Sequence, residues 1–136
     1  MGFRRRSREI ALQILFQTEF TSHTPEQALA LYLENFEADP ETKEFAMRLV
    51  NGVGEHRQEL DSIIQSHSQN WKVHRMAFVD KNILRIATFE LKFLSSEIPT
   101  NVVIDEAIEI GKRFGSQETS SFVNGVLDNI SKSLAG

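Results

Sequence analysis

Apolar residues in this chain return at every third or fourth position and almost never at every second. Val79, Ile83, Leu84, Ala87, Leu91 and Leu94 form one such series, and Phe45, Ala46, Leu49, Val50 and Val53 another. A period of 3.6 gathers such residues on one side of a helix, whereas a half-buried strand needs strict alternation. No stretch alternates for long enough to suggest a strand, so the spacing predicts an all-α fold of about seven helices joined by short loops. At 136 residues the chain is one domain in size, able to bury roughly two-thirds of the surface its unfolded form exposes. Polar residues interrupt the periodicity near 68–76. That seam predicts two small packed bundles, an N-terminal half over about 1–72 and a C-terminal half over about 73–136.

Punctuation between the apolar series agrees with this reading. Thr24-Pro25-Glu26-Gln27 offers an N-cap hydroxyl, a proline at the first helical position and a capping-box Gln, followed by Ala28, Leu29, Tyr32, Leu33 and Phe36 at helical spacing. Asp39-Pro40 repeats the cap-plus-proline signal, and Gly52 and Gly54 are expected to weaken the end of the helix it opens. Leu60, Ile63, Ile64 and His67 predict a short helix, with Trp71 in the loop after it. Residues 101–113 follow, with Val103, Ile104, Ala107, Ile108 and Gly111 inward and Gly115 as a C-cap. Phe122, Val123, Val126, Leu127 and Ile130 close the chain.

Several classes of function are disfavoured. Cysteine is absent, which excludes disulfides and thiolate metal sites, and the four histidines form no i, i+3 or i, i+4 pair. No apolar run approaches the ~20 residues that cross a bilayer, and the basic start lacks the apolar segment of a signal peptide. A cytoplasmic protein is expected. Asp105, Glu106 and Glu109 read as a solvated helix face. Gly111-Lys112-Arg113-Phe114-Gly115-Ser116 lacks the order of a phosphate loop, and Ser120 and Ser121 have no identifiable base. The expectation is no catalytic site, no metal and no cofactor.

The remaining feature is at the start. Arg4, Arg5, Arg6 and Arg8 supply +4 with no acid among residues 1–8, so a total of −4 leaves −8 for the rest of the chain. An acidic body disfavours indiscriminate nucleic-acid binding, while a local arginine cluster still holds phosphates that it touches. The guanidinium fork matches phosphate oxygens and stacks on bases. On a helix Arg4 and Arg8 share a face and Arg5 and Arg6 point elsewhere, with Ile10, Ala11, Ile14 and Leu15 behind them.

From residue 71 the sequence resembles the NusB family of bacterial transcription antitermination factors. The resemblance is carried by ILRIA-x-x-EL, by IP-x-x-V-x-I-x-EA-x-E-x-x-K-x-FG and by the terminal FVNGVLD, in the family's order and spacing. RRRSREIALQILFQ fits the family's arginine-rich start and Leu60-Asp61 its LD pair, while residues 21–56 match in pattern only. The resemblance implies an all-helical protein of two bundles that binds boxA-type RNA with the small-subunit ribosomal protein NusE, within the RNA polymerase antitermination complex on ribosomal RNA operons. It implies RNA contacts at Arg4, Arg5, Arg6, Arg8 and Phe122, although periodicity alone places Phe122 in the core. It implies that Glu118 modulates RNA affinity, and that Phe16 and Asp80, where other members carry tyrosine and glutamate, contact NusE. Two alternatives stay open. One is a homo-oligomeric helical module, since some members are dimers. The other is a stand-alone relative of the RNA-binding domain of ribosomal RNA methyltransferases; with no methyltransferase domain following, the free factor is expected.

Overall fold

The computed structural model describes residues 2–35 and 37–135, with Asn35 described in its backbone only. Seven α-helices run as α1 Gly2–Thr18, α2 Pro25–Asn35, α3 Pro40–Glu55, α4 Arg57–Ser66, α5 Phe78–Phe93, α6 Thr100–Phe114 and α7 Thr119–Ala135, with one 3₁₀ turn at Val73–Arg75. No strand occurs among the described residues. Phe36, which the spacing adds to the second helix, lies outside them.

Helix α5 is the axis of the molecule. It packs against α1, α3 and α4 on one side and against α6 and α7 on the other, and every residue from Lys81 to Leu91 is buried. A helix buried on all sides must pair its charged groups, because an unpaired buried charge costs several kcal/mol. Its charged groups are paired through long-range partners, while the buried Thr88 hydroxyl is left without one among the described residues. Arg85 binds Asp61 of α4 through two bonds of 2.8 and 3.0 Å, Lys81 and Arg85 both reach Glu19 at the end of α1, and Glu90 takes Arg8. Burial pushes the Glu19 carboxyl up, but bonding from Asn82 and the charges of Lys81 and Arg85 outweigh it and hold it below the usual carboxylate range.

Local signals are met unevenly. The Thr24–Gln27 capping box closes reciprocally, the Gln27 amide donating to Thr24 Oγ1 at 3.1 Å and the Thr24 amide to Gln27 Oε1 at 3.0 Å. Asp39 stands at the N-cap of α3 without a side-chain capping bond, and Pro40 follows it. Gly52 and Gly54 do not end α3, which continues to Glu55. Gly52 instead lets the Phe89 ring lie on the helix backbone, since a Cβ there would fall inside that ring. Gly115 is a C-cap with φ −95°, so handedness does not require glycine; a side chain would collide with Thr119. The space it leaves lets Thr119 Oγ1 accept the Ser116 amide at 2.9 Å and start α7.

Candidate nucleic-acid and partner interface

Four arginines in the first two turns of α1 lie at the positive end of the helix dipole, with no acid in that first turn. The arrangement is unfavourable to the helix and favourable to an anion. Carboxylates from later in α1 and from other helices compensate. Arg5 grips Glu106 of α6 through two bonds of 2.9 and 2.7 Å while remaining half exposed. Bonding to Arg5 and its charge hold the Glu106 carboxyl below its ordinary range. Glu106 is therefore not the solvated acid that its helix face suggests; its neighbours Asp105 and Glu109 are exposed. Arg6 is exposed and lies 3.7 Å from Glu9, whose other oxygen holds Arg113 at 2.7 Å.

Arg4 and Arg8 share a face, as the helical spacing requires, and that face turns inward over the Phe45 ring at 5.6 and 5.7 Å. Arg4 is half-buried. Arg8 is 3% exposed, and its Nε and Nη2 meet the Glu90 carboxylate at 2.9 and 2.7 Å. A guanidinium so enclosed has no surface to offer a phosphate in the folded chain. Arg8 fastens α1 to α5, and only Arg5 and Arg6 of the four are fully on the surface.

Phe122, in the first turns of α7, is half-buried against the core, and its ring meets Trp71 edge-on at 6.0 Å. Glu118 is exposed just before α7. Asp80, in the first turn of α5, accepts a bond of 2.8 Å from Thr119 Oγ1 and so links the starts of α5 and α7. Phe16 is half-buried within an edge-to-face trio with Phe20 and Phe78, at centroid distances of 5.1 and 6.3 Å. Phe20 is 65% exposed, an uncommon position for so large an apolar ring. Beside the trio, Leu12, Phe16, Val79 and Phe114 floor a groove edged by Arg6 and Arg113. Phe20, Phe78 and Phe114 are additions to what the sequence alone singles out. Their signal was the repeated aromatic at 16, 20 and 78, invisible until α1 and α5 are laid side by side.

These features define a helical-bundle binding protein, whose exposed chemistry is an arginine-bearing helix end flanked by aromatic rings. The chain belongs to the NusB family, whose sequence profile matches residues 5–132. It is 47% identical over 130 residues to the transcription antitermination protein NusB of Desulfatibacillum aliphaticivorans, covering 96% of this chain and 90% of that one. It is 46% identical to the protein of the same name from Myxococcus xanthus over 98% of both chains. Among solved structures, T. maritima NusB superposes with a TM-score of 0.87 at 40% identity, covering 98% of this chain and 93% of that chain. NusB in a crystal structure with NusE and double-stranded RNA superposes with a TM-score of 0.85 at 30% identity over 98% of each chain.

Proposed function

We propose that this chain is an RNA-binding transcription antitermination factor that recognises boxA-type RNA jointly with NusE and supports transcription of ribosomal RNA operons. The observation that carries the reading is the exposed Arg5–Arg6 pair at the N-terminus of α1 in a chain whose residues 9–136 sum to −8. Full-length similarity to a NusB bound to NusE and double-stranded RNA supports the choice of partners. In this reading Arg4, Arg5 and Arg6 hold phosphates, Phe122 stacks on an unpaired base, and Glu118 tunes affinity through its charge. Arg8 acts through Glu90 by seating the helix that carries the other three. Phe16 and Asp80 belong to the NusE side, with Phe20, Phe78 and Phe114 widening the apolar surface beside them. The protein works without catalysis or cofactor, in the cytoplasm, as part of the RNA polymerase antitermination complex.

An acidic body repels a polyanion, and a basic ribosomal protein docked on it relieves the repulsion and extends the binding surface. Titrating labelled boxA RNA with the chain, with NusE and with both should give an affinity for the pair well beyond either alone. Replacing Arg4, Arg5 and Arg6 by Ala should weaken binding and lower the log–log salt slope by ~0.7 for each phosphate no longer neutralised. Equal affinity with and without NusE would remove the joint-recognition reading, and an unchanged slope would remove the arginines from the RNA site.

A further inference from the structure

The loop between α4 and α5 holds the chain's single tryptophan, and Trp71 is 61% exposed. It is not a loose segment. At the end of α4, Gln65 donates through Nε2 to the Trp71 carbonyl at 2.9 Å and accepts the Val73 amide on Oε1 at 3.0 Å. The Trp71 amide donates to the Ser68 carbonyl at 2.8 Å, and the Ser68 hydroxyl donates to the Ile64 carbonyl at 2.8 Å. Val73 and Met76 are sunk into the core, so Trp71, Lys72, His74 and Arg75 are fixed on the outside.

Two properties separate this loop from the rest of the surface. Most exposed cations are held by carboxylates, as Arg5 is by Glu106, Arg48 by Glu97 and Arg113 by Glu9. Lys72 and Arg75 have no carboxylate partner among the described residues. Their charge is thus available to an outside anion without first breaking an internal pair. The exposed indole, meanwhile, meets Phe122 with the ring planes at 73°, so the two rings are not stacked face to face. An acidic side chain satisfies the cations but has no aromatic face to offer the indole. Single-stranded nucleic acid supplies both, with phosphates at regular intervals and a base between each pair.

We propose that the Trp71–Arg75 loop is a second docking point for single-stranded RNA, in which Trp71 stacks on a base neighbouring the one at Phe122, and Lys72 and Arg75 hold the flanking phosphates. The inference rests on the RNA-binding reading of Phe122 given above. It extends the RNA path from α1 and α7 onto the junction of α4 and α5.

Because Trp71 is the only tryptophan, the difference in emission between the wild-type chain and Trp71→Phe isolates this one ring even with NusE present. A single-stranded boxA-type RNA with a terminal fluorophore is titrated with the chain and NusE, and anisotropy and tryptophan emission are both followed. The expected result is quenching of Trp71 with the same midpoint as the anisotropy change. Trp71→Ala should weaken binding roughly tenfold, as expected when one base no longer has a ring to stack on. Trp71→Phe should recover most of that affinity. The Lys72→Ala/Arg75→Ala variant, altered only at exposed side chains, should lower the salt slope by about 1.4 for two phosphates. Normal binding by anisotropy with unchanged Trp71 emission and wild-type affinity in both variants would take the loop off the RNA path, with the arginine and Phe122 reading intact. A wild-type chain that binds no RNA with NusE would overturn that reading and this one together. Equal quenching by polyglutamate would assign the loop to an acidic peptide and overturn the proposal.

Discussion

Replacing Arg8 by Ala should damage the fold rather than a surface. Arg8 and Glu90 are 3% and 1% exposed, and three bonds of 2.7, 2.9 and 3.1 Å join them. Removing one member of such a pair strands the other charge in the interior, at a cost of ~3 to 5 kcal/mol. That is a large part of the ~5 to 15 kcal/mol that holds a domain together. For a chain of 136 residues it corresponds to a fall in Tm of roughly 10 to 20 °C, read by circular dichroism at pH 7. The destabilisation should depend on pH in a definite direction. Burial already pushes the Glu90 carboxyl above its ordinary 4.5, with Arg8 opposing that push. Without Arg8 the carboxyl rises further, and a group raised in the folded state contributes stability below its unfolded pKa and loses it as pH rises through the folded one. The gap between Arg8→Ala and wild type should therefore narrow as pH falls from 7 toward 4.5. Arg8→Met combined with Glu90→Met should regain most of the stability, because no charge is then left unpaired. An Arg8→Ala protein melting within ~2 °C of wild type while losing RNA affinity would refute the reasoning and return Arg8 to the RNA surface.

Further outcomes follow from other parts of the molecule. Gly52→Ala should cost ~1 to 3 kcal/mol of stability, read as a lower urea midpoint, because the methyl group would occupy the Phe89 ring position; an unchanged midpoint would mean that the ring moves aside freely. Glu106→Gln should cost about 1 kcal/mol or less at pH 7, as its partner Arg5 is half exposed. The depressed Glu106 carboxyl contributes stability above its unfolded value and loses it as pH falls through its native one, so the Gln variant should flatten the acid limb of a pH–stability curve. Phe122→Ala should weaken boxA RNA binding roughly tenfold with little change in salt slope. Because the ring is half-buried against the core, it should also cost about half of the ~3 to 5 kcal/mol of a fully buried Phe, which a melting curve will register.

Features that depend on neighbours in sequence were readable, and features that depend on distant partners were not. The Thr24–Gln27 box closes within three residues, and the apolar stripes of α3, α5 and α7 each repeat within one helix. The α5 stripe nevertheless understated its burial, since a 3.6 period describes a one-sided helix and α5 is enclosed on all sides. Arg8 looks like Arg5 in sequence; what distinguishes them is Glu90 against Glu106, and no local pattern ties either acid to its arginine. Glu106 looked solvated for the same reason. Gly115 carried the right position for a C-cap with the wrong cause, because the collision with Thr119 exists only once α6 and α7 are packed. That Lys72 and Arg75 have no carboxylate partner among the described residues is likewise a property of where distant acids end up.

The Arg8–Glu90 bond also sets a clock on synthesis. Helix α1 is translated before α5 and α6, so the acid that neutralises its inward cation comes 82 residues later, and the acid that receives Arg5 comes 101 later. At ~5 to 20 residues per second, the ribosome takes ~4 to 16 s to deliver the first of these. Through that interval α1 has at most α2 and α3, and no α5, to pack against, and the Arg8 guanidinium has no Glu90. Residue 90 must therefore be synthesised before the inward charge of α1 can be neutralised as it is in the folded chain.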